Sequence, residues 1–401
     1  MEPGIFEGLK VIDCASFIAA PAAATILSDF GAEVIKIEPP VGGDPFRRLS
    51  TLPGYPVSAH NYGWLLESRN KRGLALDLAK PSGQAVLHRL VAGADVFITN
   101  FPPAVRQRLG LAYGTLGPLN ERLIYASFTG YGEAGAEAGK PGFDSNAWWA
   151  RSGLMDMVRA DAGTPPARSV PGMGDHPSAL ALYGAILTAL YRRQRTNKGG
   201  EVSTSLIANG LWSNGIFAQA RLCGAEVAVR PPRDQAPNAL TNHYRCKDGR
   251  WLILSLLNEA QQWPALIECI GRPAIAGDPR FAALEDRHAN ARALIGVLDE
   301  VFAGKDLADW RAILDAAGLI FGVVAVMDDI PADRQMREAG VLIPFAGETL
   351  MTLDSPLQVS GAAKVPPRLP PGIGEHSDAI LGEAGYDAAA IAELRAAGVV
   401  G

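Results

Sequence analysis

The sequence contains few cysteines, and none of them lies close to another. The four are spread along the chain at Cys14, Cys223, Cys246 and Cys269. This spacing lacks both the paired pattern of a zinc site and the dense framework of a small disulfide-bonded protein. We therefore expect neither a bound metal nor disulfide bonds.

Long apolar runs and a strong charge of either sign are also missing. No apolar stretch reaches bilayer-spanning length, and the opening residues, MEPGIFEGLKVIDC, include neither a basic leader nor a long apolar core. The net charge is -5 and the pI is about 5.8, which disfavours a nucleic-acid partner. We expect a cytoplasmic globular protein with no membrane or nucleic-acid partner.

The chain does contain enough apolar residues for a large core. Of its 401 residues 48% are hydrophobic and 20% are charged, which is typical of a globular protein with two domains. We expect a large α/β domain over residues 1–210, a linker over 211–230 and a small α+β domain over 231–330. A linker and a C-terminal segment should follow over residues 331–401. A hairpin that turns at Lys247, Asp248 and Gly249 is expected within the small domain.

The large domain begins with a βαβ pattern. Residues 9–13 predict a buried strand, residues 21–30 a helix that ends at Gly31, and residues 33–38 the next strand. The turn after the first strand, ASFIAAP, contains no glycine. It therefore lacks the glycine-rich phosphate loop of dinucleotide enzymes, and neither NAD nor FAD is expected.

Two more βα steps follow. Residues 42–66 predict a long irregular loop, and residues 70–101 predict strand, helix and strand, with the helix over about 81–92. A short helix is expected over 103–109 and a strand over 123–128, before a glycine-rich loop. Because open parallel sheets bind ligands at the carboxyl ends of their strands, we expect the chemistry in these loops.

A single carboxylate, Asp175, stands between two glycines and a long apolar helix pattern. Gly172 and Gly174 precede it, and Pro177 follows in the first turn of the predicted helix. Two interpretations are open. Asp175 or Ser178 could be an ordinary helix N-cap, or the glycines could let a substrate approach so that Asp175 attacks an acyl carbon.

Basic residues cluster near the predicted strand ends, at Lys71, Arg72, Lys80, Arg106 and Arg108. They could form a solvated helix face, since long basic side chains often cover apolar surface. They could also bind the phosphates of a nucleotide whose base stacks on Phe101.

Several segments, taken in order, resemble the class III CoA-transferases, the family of formyl-CoA transferase, with the α-methylacyl-CoA racemases as relatives. The segments are GLKVIDCASFIAAPAAATILSDFGAEVIKIEPP, NKRGLALDLAKPSG, ADVFITNFPPAVRQRLGL, NERLIYASFTGYG, GKPGFD and GMGDH. The resemblance runs from Gly8 to about Leu206 and resumes at HSDAILGEAGY. It implies a large Rossmann-like open parallel-sheet domain, a smaller α+β domain, a C-terminal segment that returns to the large domain, and an interlocked homodimer.

The resemblance also implies that Asp175, in the pair Gly174-Asp175, is the nucleophile of a CoA-transferase. Its carboxylate would attack the thioester of an acyl-CoA to give a mixed anhydride and then an aspartyl-CoA thioester. A carboxylic acid acceptor would reverse these steps, with CoA as co-substrate and no metal. We expect the carboxylate to be ionised at pH 7, and N–H groups at the helix N-terminus to stabilise the oxyanion.

The racemase relatives supply an alternative function. They carry a histidine in the Gly-X-Asp turn where this chain has Phe143, which cannot transfer a proton. His176 could replace that base, or it could be a capping or exposed residue. Asp144 could bind the substrate or position Asp175, or it could be a helix N-cap. A non-catalytic acyl-CoA binding protein is the third possibility.

Positions that match the family's CoA contacts are Phe17, Leu76, Asn100, Phe101 and Arg108. Pro39 replaces a phosphate-binding arginine of some members. Lys71, Lys80 or Arg47 is therefore expected to supply that charge.

The residues implied to bind the substrate are Ile18, Phe143, Asp144, Gly174 and His176. Ile18 stands where the oxalate-using transferase has glutamine, so the acceptor pocket should be apolar. Trp148, Trp149 and Met155 either line that pocket or belong to the core. The segment GFDSNAWWARSGL, together with GMGDH, resembles the matching segments of transferases that act on 2-hydroxyacyl, aryl-acyl or similar hydrophobic acids.

Overall fold

The computed structural model describes residues 4–401. The chain divides into two compact units. The first unit consists of the chain up to Met155, Arg168–Gly224 and Arg334–Gly401, and the second consists of Asp156–Ala167 and Ala225–Asp333. Each unit has its own hydrophobic core.

The strands of the described residues form three sheets. In chain order they are β1 (Lys10–Cys14), β2 (Glu33–Glu38), β3 (Arg72–Ala75), β4 (Val96–Thr99), β5 (Ile124–Thr129), β6 (Gly200–Ser205), β7 (His243–Arg245), β8 (Trp251–Leu254), β9 (Phe321–Val323), β10 (Leu342–Pro344) and β11 (Met351–Leu353).

The α-helices connect and cover these strands. In chain order they are α1 (Ala19–Asp29), α2 (Tyr62–Ser68), α3 (Pro81–Val91), α4 (Pro103–Arg108), α5 (Tyr113–Leu116), α6 (Leu154–Met157), α7 (Asp175–Thr196), α8 (Leu206–Ser213), α9 (Gly215–Leu222), α10 (Glu259–Cys269), α11 (Pro273–Ala276), α12 (Leu284–Ala289), α13 (Ala291–Phe302), α14 (Leu307–Ala316), α15 (Arg334–Glu338), α16 (Ser377–Glu383) and α17 (Ala388–Ala396).

The first unit is built on a six-stranded parallel sheet. Its strand order is β3-β2-β1-β4-β5-β6, so the order reverses direction between β1 and β4. Every residue of β4 and β5 is buried, as expected of central strands that are covered on both faces. The expected Rossmann-like parallel sheet is confirmed, and its switch point between β1 and β4 is where such sheets form ligand clefts.

The segment 42–66 is more regular than its composition predicts. Pro45–Thr51 is a 3₁₀-helix with Asp44 as its N-cap, and α2 begins at Tyr62 after an Asn61 cap. Both caps accept a backbone N–H, from Phe46 and from Trp64 respectively. The expectation of a long irregular loop is therefore wrong at both ends of this segment.

The C-terminal segment packs on the β3 side of the sheet. Val399 and Val400 are buried, and Val400 forms an antiparallel bridge with Leu76 just after β3. Arg72 of β3 is paired with Glu383 of α16 at 2.7 Å. The tail therefore completes the hydrophobic core of the first unit.

The second unit is a small α+β structure. Strands β7, β8 and β9 form an antiparallel sheet, and the predicted hairpin between β7 and β8 is confirmed. Its core includes Tyr244 and Trp310, both fully buried, and the Trp310 indole donates to the Phe302 carbonyl at 2.8 Å. The fold class is therefore confirmed for both units.

No helix within residues 4–401 has the length and apolar character needed to cross a bilayer. The interlocked homodimer, the cytoplasmic location and the absence of nucleic-acid or membrane partners stay predictions.

Candidate active site

A cleft of about 340 Å³ opens at the carboxyl ends of β1, β4 and β5. It is lined by residues 16–19 after β1, 100–103 after β4 and 128–130 at the end of β5. Asp175, Leu206 and residues 140–143 complete most of its wall. The cleft thus lies at the carboxyl ends of the strands, as the sequence predicts, and at the point where the strand order reverses.

Asp175 is the first residue of α7 and faces this cleft. The helix N-cap is Gly174, which has no side chain to cap it. Ser178 does not cap it either, because its hydroxyl donates back to the Gly174 carbonyl at 2.6 Å. Within residues 4–401, we find no hydrogen bond to the Asp175 carboxylate, so the N-cap interpretation is wrong.

The turn before α7 requires its glycines. Gly172 has a φ angle of +79°, a backbone conformation that residues other than glycine rarely adopt. A Cβ on Gly174 would lie 2.6 Å from Cγ of Trp148, closer than any stable contact. Trp148 is buried and stacked on Trp149, so the indole pair forms a fixed support behind the turn.

Few N–H groups are free to stabilise an oxyanion. The Gly174 N–H donates to Asp144, and the His176 N–H donates to the Gly172 carbonyl at 3.1 Å. Pro177 has no N–H. Of the N–H groups of residues 174–177, only that of Asp175 is therefore free, within the described residues 4–401, to donate to an oxyanion. The sequence leads us to expect several such donors at the helix N-terminus, and the structure offers one.

Asp144 is held against the turn that carries Asp175. It begins a π-helical turn, Asp144–Ala150, whose N-cap is Phe143, so Asp144 is not itself a cap. Its Oδ2 accepts the Gly174 N–H at 3.2 Å, and the side chain is buried. Asp144 therefore positions the turn and adds a second negative charge beside the cleft.

The Asp175 carboxyl is far less acidic than a free aspartate. Burial is the largest cause, and the charge of Asp144 adds to it, so the pKa rises from 3.8 to about 7. His176 opposes this rise, while Glu67 contributes slightly to it. The expectation of a carboxylate fully ionised at pH 7 is therefore wrong, because the protonated form is also present near neutrality.

The raised pKa predicts a pH-dependent first step. Below about pH 7 the carboxyl is protonated and cannot attack, so single-turnover release of CoA thiol should rise through that pH. Asp144→Asn removes the neighbouring charge and should move the midpoint to lower pH. A midpoint near pH 4 in the wild type would contradict this assignment.

Phe17 and Phe143 meet edge to face across the cleft. Their ring centroids lie 5.5 Å apart, with the ring planes at 80°. Phe17 has φ of 64°, an unusual conformation for a bulky residue that costs on the order of 1 kcal/mol. Ile18 lies beside it in the lining, so the predicted apolar wall is present.

Asn100 and Phe101 also line the cleft, and their contact with CoA stays a prediction. The Asn100 amide donates to the Ser16 carbonyl at 2.7 Å, and its oxygen accepts the Ser16 N–H at 2.9 Å. These two bonds join the loops after β1 and β4. Asn100 therefore shapes the floor of the cleft with its side chain.

Other predicted residues lie elsewhere. Leu76 is 1% exposed and packs in the core, so its side chain cannot contact CoA here. Arg47 is paired with Glu38, and Lys80 Nζ donates to the carbonyls of Ala397 and Gly398. Arg108 is exposed at the end of α4, and we find no ion pair to it within residues 4–401.

Lys71 is a buried structural residue, which corrects its assignment to CoA. Its ammonium donates to Asp13 Oδ2 at 2.8 Å, to the Pro21 carbonyl at 2.8 Å and to the Glu67 carbonyl at 2.7 Å. All three donors are thus used within the protein. Burial lowers the pKa of Lys71, although the charge of Asp13 opposes that shift.

Lys71→Met should therefore affect folding rather than CoA affinity. It leaves the buried Asp13 carboxylate without its close partner and should lower the free energy of unfolding by about 3 kcal/mol. The exposed Lys198→Met should change it by less than about 0.5 kcal/mol. Urea unfolding checks both variants, and normal stability with a raised KM for acyl-CoA would contradict the structural role.

Two functional candidates were missed from the sequence. Lys140 lines the cleft and is bound to Glu137 at 2.8 Å. Glu67 is buried in α2 and contacts the ring of His176. Glu67 belongs to no sequence motif, and Lys140 lies within the segment GKPGFD but has no role assigned from the sequence, so only the folded chain places both in this site. Gly174 and His176 flank Asp175, and the buried Trp148 and Trp149 belong to the support of the turn rather than to the cleft lining.

Comparisons with known proteins agree with this site. A family described as CoA-transferase family III matches residues 6–377. The (R)-2-hydroxy-4-methylpentanoate CoA-transferase of Clostridioides difficile is 33% identical over 389 residues, which cover 96% of each chain. The chain belongs to CoA-transferase family III.

Further relatives match this family III member over nearly its whole length. The cinnamoyl-CoA:phenyllactate CoA-transferase of Clostridium sporogenes is 32% identical over 97% of this chain and 96% of its own. The crystal structure of a CaiB/BaiF family protein from Brucella suis has a TM-score of 0.85, with 29% identity over 96% of this chain and 100% of that one.

As a family III CoA-transferase, the protein is an enzyme whose substrates are an acyl-CoA and a carboxylic acid, with CoA as co-substrate. No group of three or more His, Cys, Asp or Glu side chains within residues 4–401 could hold a metal ion.

Proposed function

We propose that this enzyme moves CoA from an acyl-CoA to a carboxylic acid through covalent intermediates on Asp175. The observation that carries the proposal is the Asp175 carboxylate. It faces the cleft, accepts no hydrogen bond that we find within residues 4–401, and begins the helix α7. A carboxylate poorly solvated in this way is a stronger nucleophile than one in water.

Four steps account for the transfer. Asp175 attacks the acyl carbon of the donor, which forms a mixed anhydride and releases CoA thiolate. The thiolate attacks the Asp175 carbonyl, which forms the aspartyl-CoA thioester and releases the donor acid. The acceptor carboxylate attacks that thioester, which forms a second anhydride and again frees the thiolate. Attack of the thiolate on the acceptor acyl carbon then yields the product thioester and restores Asp175.

Chemical trapping tests this sequence of steps. Enzyme mixed with an acyl-CoA and then treated with hydroxylamine should carry a hydroxamate at residue 175, and borohydride should reduce the thioester there to an alcohol. Asp387→Asn, which makes the same change at an ordinary helix N-cap, is the matched control and should trap normally. CoA bound without any adduct would favour a non-catalytic binding protein.

We further propose that the acceptor is a hydrophobic monocarboxylic acid. Phe17, Ile18 and Phe143 give the cleft an apolar wall, and Lys140 is the one cationic side chain among the described lining residues. Relatives are named for 2-hydroxy-4-methylpentanoate and phenyllactate, which are hydrophobic 2-hydroxy acids. Exchange assays should therefore give a higher kcat/KM with such acids than with succinate or oxalate, and the reverse order would contradict this assignment.

The racemase alternative has less support. Phe143 lines the cleft where a second base would be needed, and it cannot accept a proton. His176 is held by Glu67 at 2.7 Å. Incubation with an acyl-CoA in deuterated water should therefore leave the α-proton unexchanged, and wash-in of deuterium would favour the racemase.

We propose that Arg108 binds a phosphate of CoA. It is exposed and lies in the last turn of α4, which follows the cleft loop 100–103. Arg108→Ala should raise the KM for acyl-CoA about tenfold with little change in kcat, because a charged interaction of equal strength in the ground and transition states affects binding alone. Arg122→Ala, another exposed arginine, is the control. Equal effects of both variants would contradict the assignment.

A further inference from the structure

His176, the residue that follows Asp175, is held by a hydrogen bond to a buried carboxylate. His176 Nε2 lies 2.7 Å from Oε1 of Glu67, whose side chain is 3% exposed. The sequence favours a capping or exposed histidine at this position. The structure bears out the exposed position, since the His176 side chain is 48% exposed, and it also joins the start of α7 to the buried Glu67 carboxylate of α2.

The His176 ring lies between the Glu67 carboxylate and the glycine turn. Nε2 faces the carboxylate, 2.7 Å from Oε1. A Cβ on Gly172 would lie 3.1 Å from Cε1 and 3.3 Å from Nδ1, so the ring packs closely on the glycine turn. Because a carboxylate accepts hydrogen bonds, Nε2 carries the proton of this contact, and the negative charge of Glu67 favours the doubly protonated imidazolium.

Residue Glu67 is itself held in place through its backbone. Its backbone carbonyl accepts hydrogen bonds from the Thr25 hydroxyl of α1 at 2.6 Å and from the Lys71 ammonium at 2.7 Å. The helix that carries Glu67 is thus fixed to its neighbours. Glu67 can therefore hold the imidazolium ring in one orientation next to Asp175.

The charges around the pair define its electrostatic effect. Asp175 interacts with Asp144, His176 and Glu67, and His176 is the one cation of the three. His176 in turn faces Glu67 and Asp175. Burial works to lower the pKa of His176, but the Glu67 hydrogen bond and the two carboxylates raise it above its usual value.

We propose that His176 is a positioning residue whose ring, held by Glu67, braces the Gly172–Gly174 turn and keeps a positive charge beside Asp175. This inference rests on the proposed role of Asp175 as nucleophile. The charge favours the ionised, reactive carboxylate against the combined effect of burial and Asp144. Glu67 acts through His176 and does not touch the reacting atoms.

His176→Asn tests the charge directly. Carbon-13 NMR of the aspartate side chains, assigned with Asp175→Asn, should show the pKa of Asp175 raised by about one unit. Single-turnover CoA release at pH 7 should fall about fivefold and approach the wild-type rate at about pH 9. His176→Lys restores a cation and should move the midpoint back toward that of the wild type.

The second unit offers a matched control. His288 contacts Glu259 with Nε2 2.8 Å from Oε1, the same kind of pair. His288→Asn should leave the pH profile of CoA release unchanged. A similar shift in both variants would overturn the proposal, as would a His176→Asn profile with the wild-type midpoint.

An NMR titration of His176 separates this inference from the proposed function. The pKa of wild-type His176 should lie above its ordinary value, and Glu67→Gln should lower it. A wild-type His176 pKa at or below the ordinary value would overturn the proposal even if trapping at Asp175 succeeds. Failure of trapping with these titrations intact would instead reject the nucleophile and leave the His176–Glu67 pair in place.

Discussion

Asp175→Asn will reduce CoA transfer by about 10⁴-fold or more, because the amide cannot form either covalent intermediate. The variant should form no trapped adduct, and its residual rate should be that of the reaction without a covalent intermediate. Asp144→Asn, which keeps the nucleophile, should retain much more activity. An Asp175→Asn variant that transfers CoA within tenfold of the wild-type rate would contradict the account.

Asp175→Asn should also make the folded protein more stable than the wild type at alkaline pH. The folded-state pKa of Asp175 is raised from 3.8 to about 7, so the charged form costs folding free energy once it is populated. That cost is absent below about pH 4, grows as the pH rises to 7 and is complete above it. Asp175→Asn removes it.

The gain should be on the order of 3 kcal/mol at pH 8 and close to zero at pH 4. Urea unfolding of both proteins at the two pH values measures it. A variant that is less stable than the wild type at pH 8 would mean that the carboxylate contributes bonds that this structure does not contain.

Gly174→Ala will disrupt both the fold and the reaction. Its Cβ would lie 2.6 to 2.8 Å from three atoms of Trp148, a side chain that is buried and stacked. Overpacking of this kind costs about 1–3 kcal/mol. The turn also carries Asp175, and a displacement of about 1 Å at a nucleophile can reduce kcat about 100-fold.

The control lies in the same helix. A Cβ on Gly184 of α7 would meet no atom within 4 Å beyond its own helical backbone, so Gly184→Ala should be neutral or stabilising by up to about 1 kcal/mol. Thermal unfolding and steady-state rates of the two variants check the contrast. Equal behaviour of Gly174→Ala and Gly184→Ala would show that Trp148 does not constrain the turn.

The sequence predicts the central sheet well because its signals are local. Strands β1 and β2 are short apolar runs on either side of α1, which ends two residues before Gly31, and β4 and β5 are buried at every position. Strand β6 was not predicted. Its polar alternation, GEVSTS, fits a half-exposed edge strand but differs little from a loop.

The candidate site was predictable only in part. Asp175 and its glycine turn are adjacent in the chain, so sequence pattern and family resemblance identify them. Glu67 lies 109 residues from His176, and no local pattern joins the two. Lys71 shows the opposite error, because a basic residue in sequence can be a fully buried partner of Asp13 in the fold.

The protonation state of Asp175 was also beyond the sequence. An aspartate at a helix N-terminus is expected to be ionised, since the helix dipole favours negative charge there. Burial and the nearby Asp144 outweigh that preference, and both depend on tertiary structure.

Transfer of oxygen-18 from the acceptor acid to the enzyme tests the central claim most directly. If Asp175 forms the second anhydride, then attack of CoA thiolate on the acceptor acyl carbon leaves one oxygen of the acceptor on the carboxylate of Asp175. After turnover with an acceptor labelled in its carboxylate, mass spectrometry should find the label in the peptide that contains Asp175 and in no other. Full turnover without label at that residue would contradict the account.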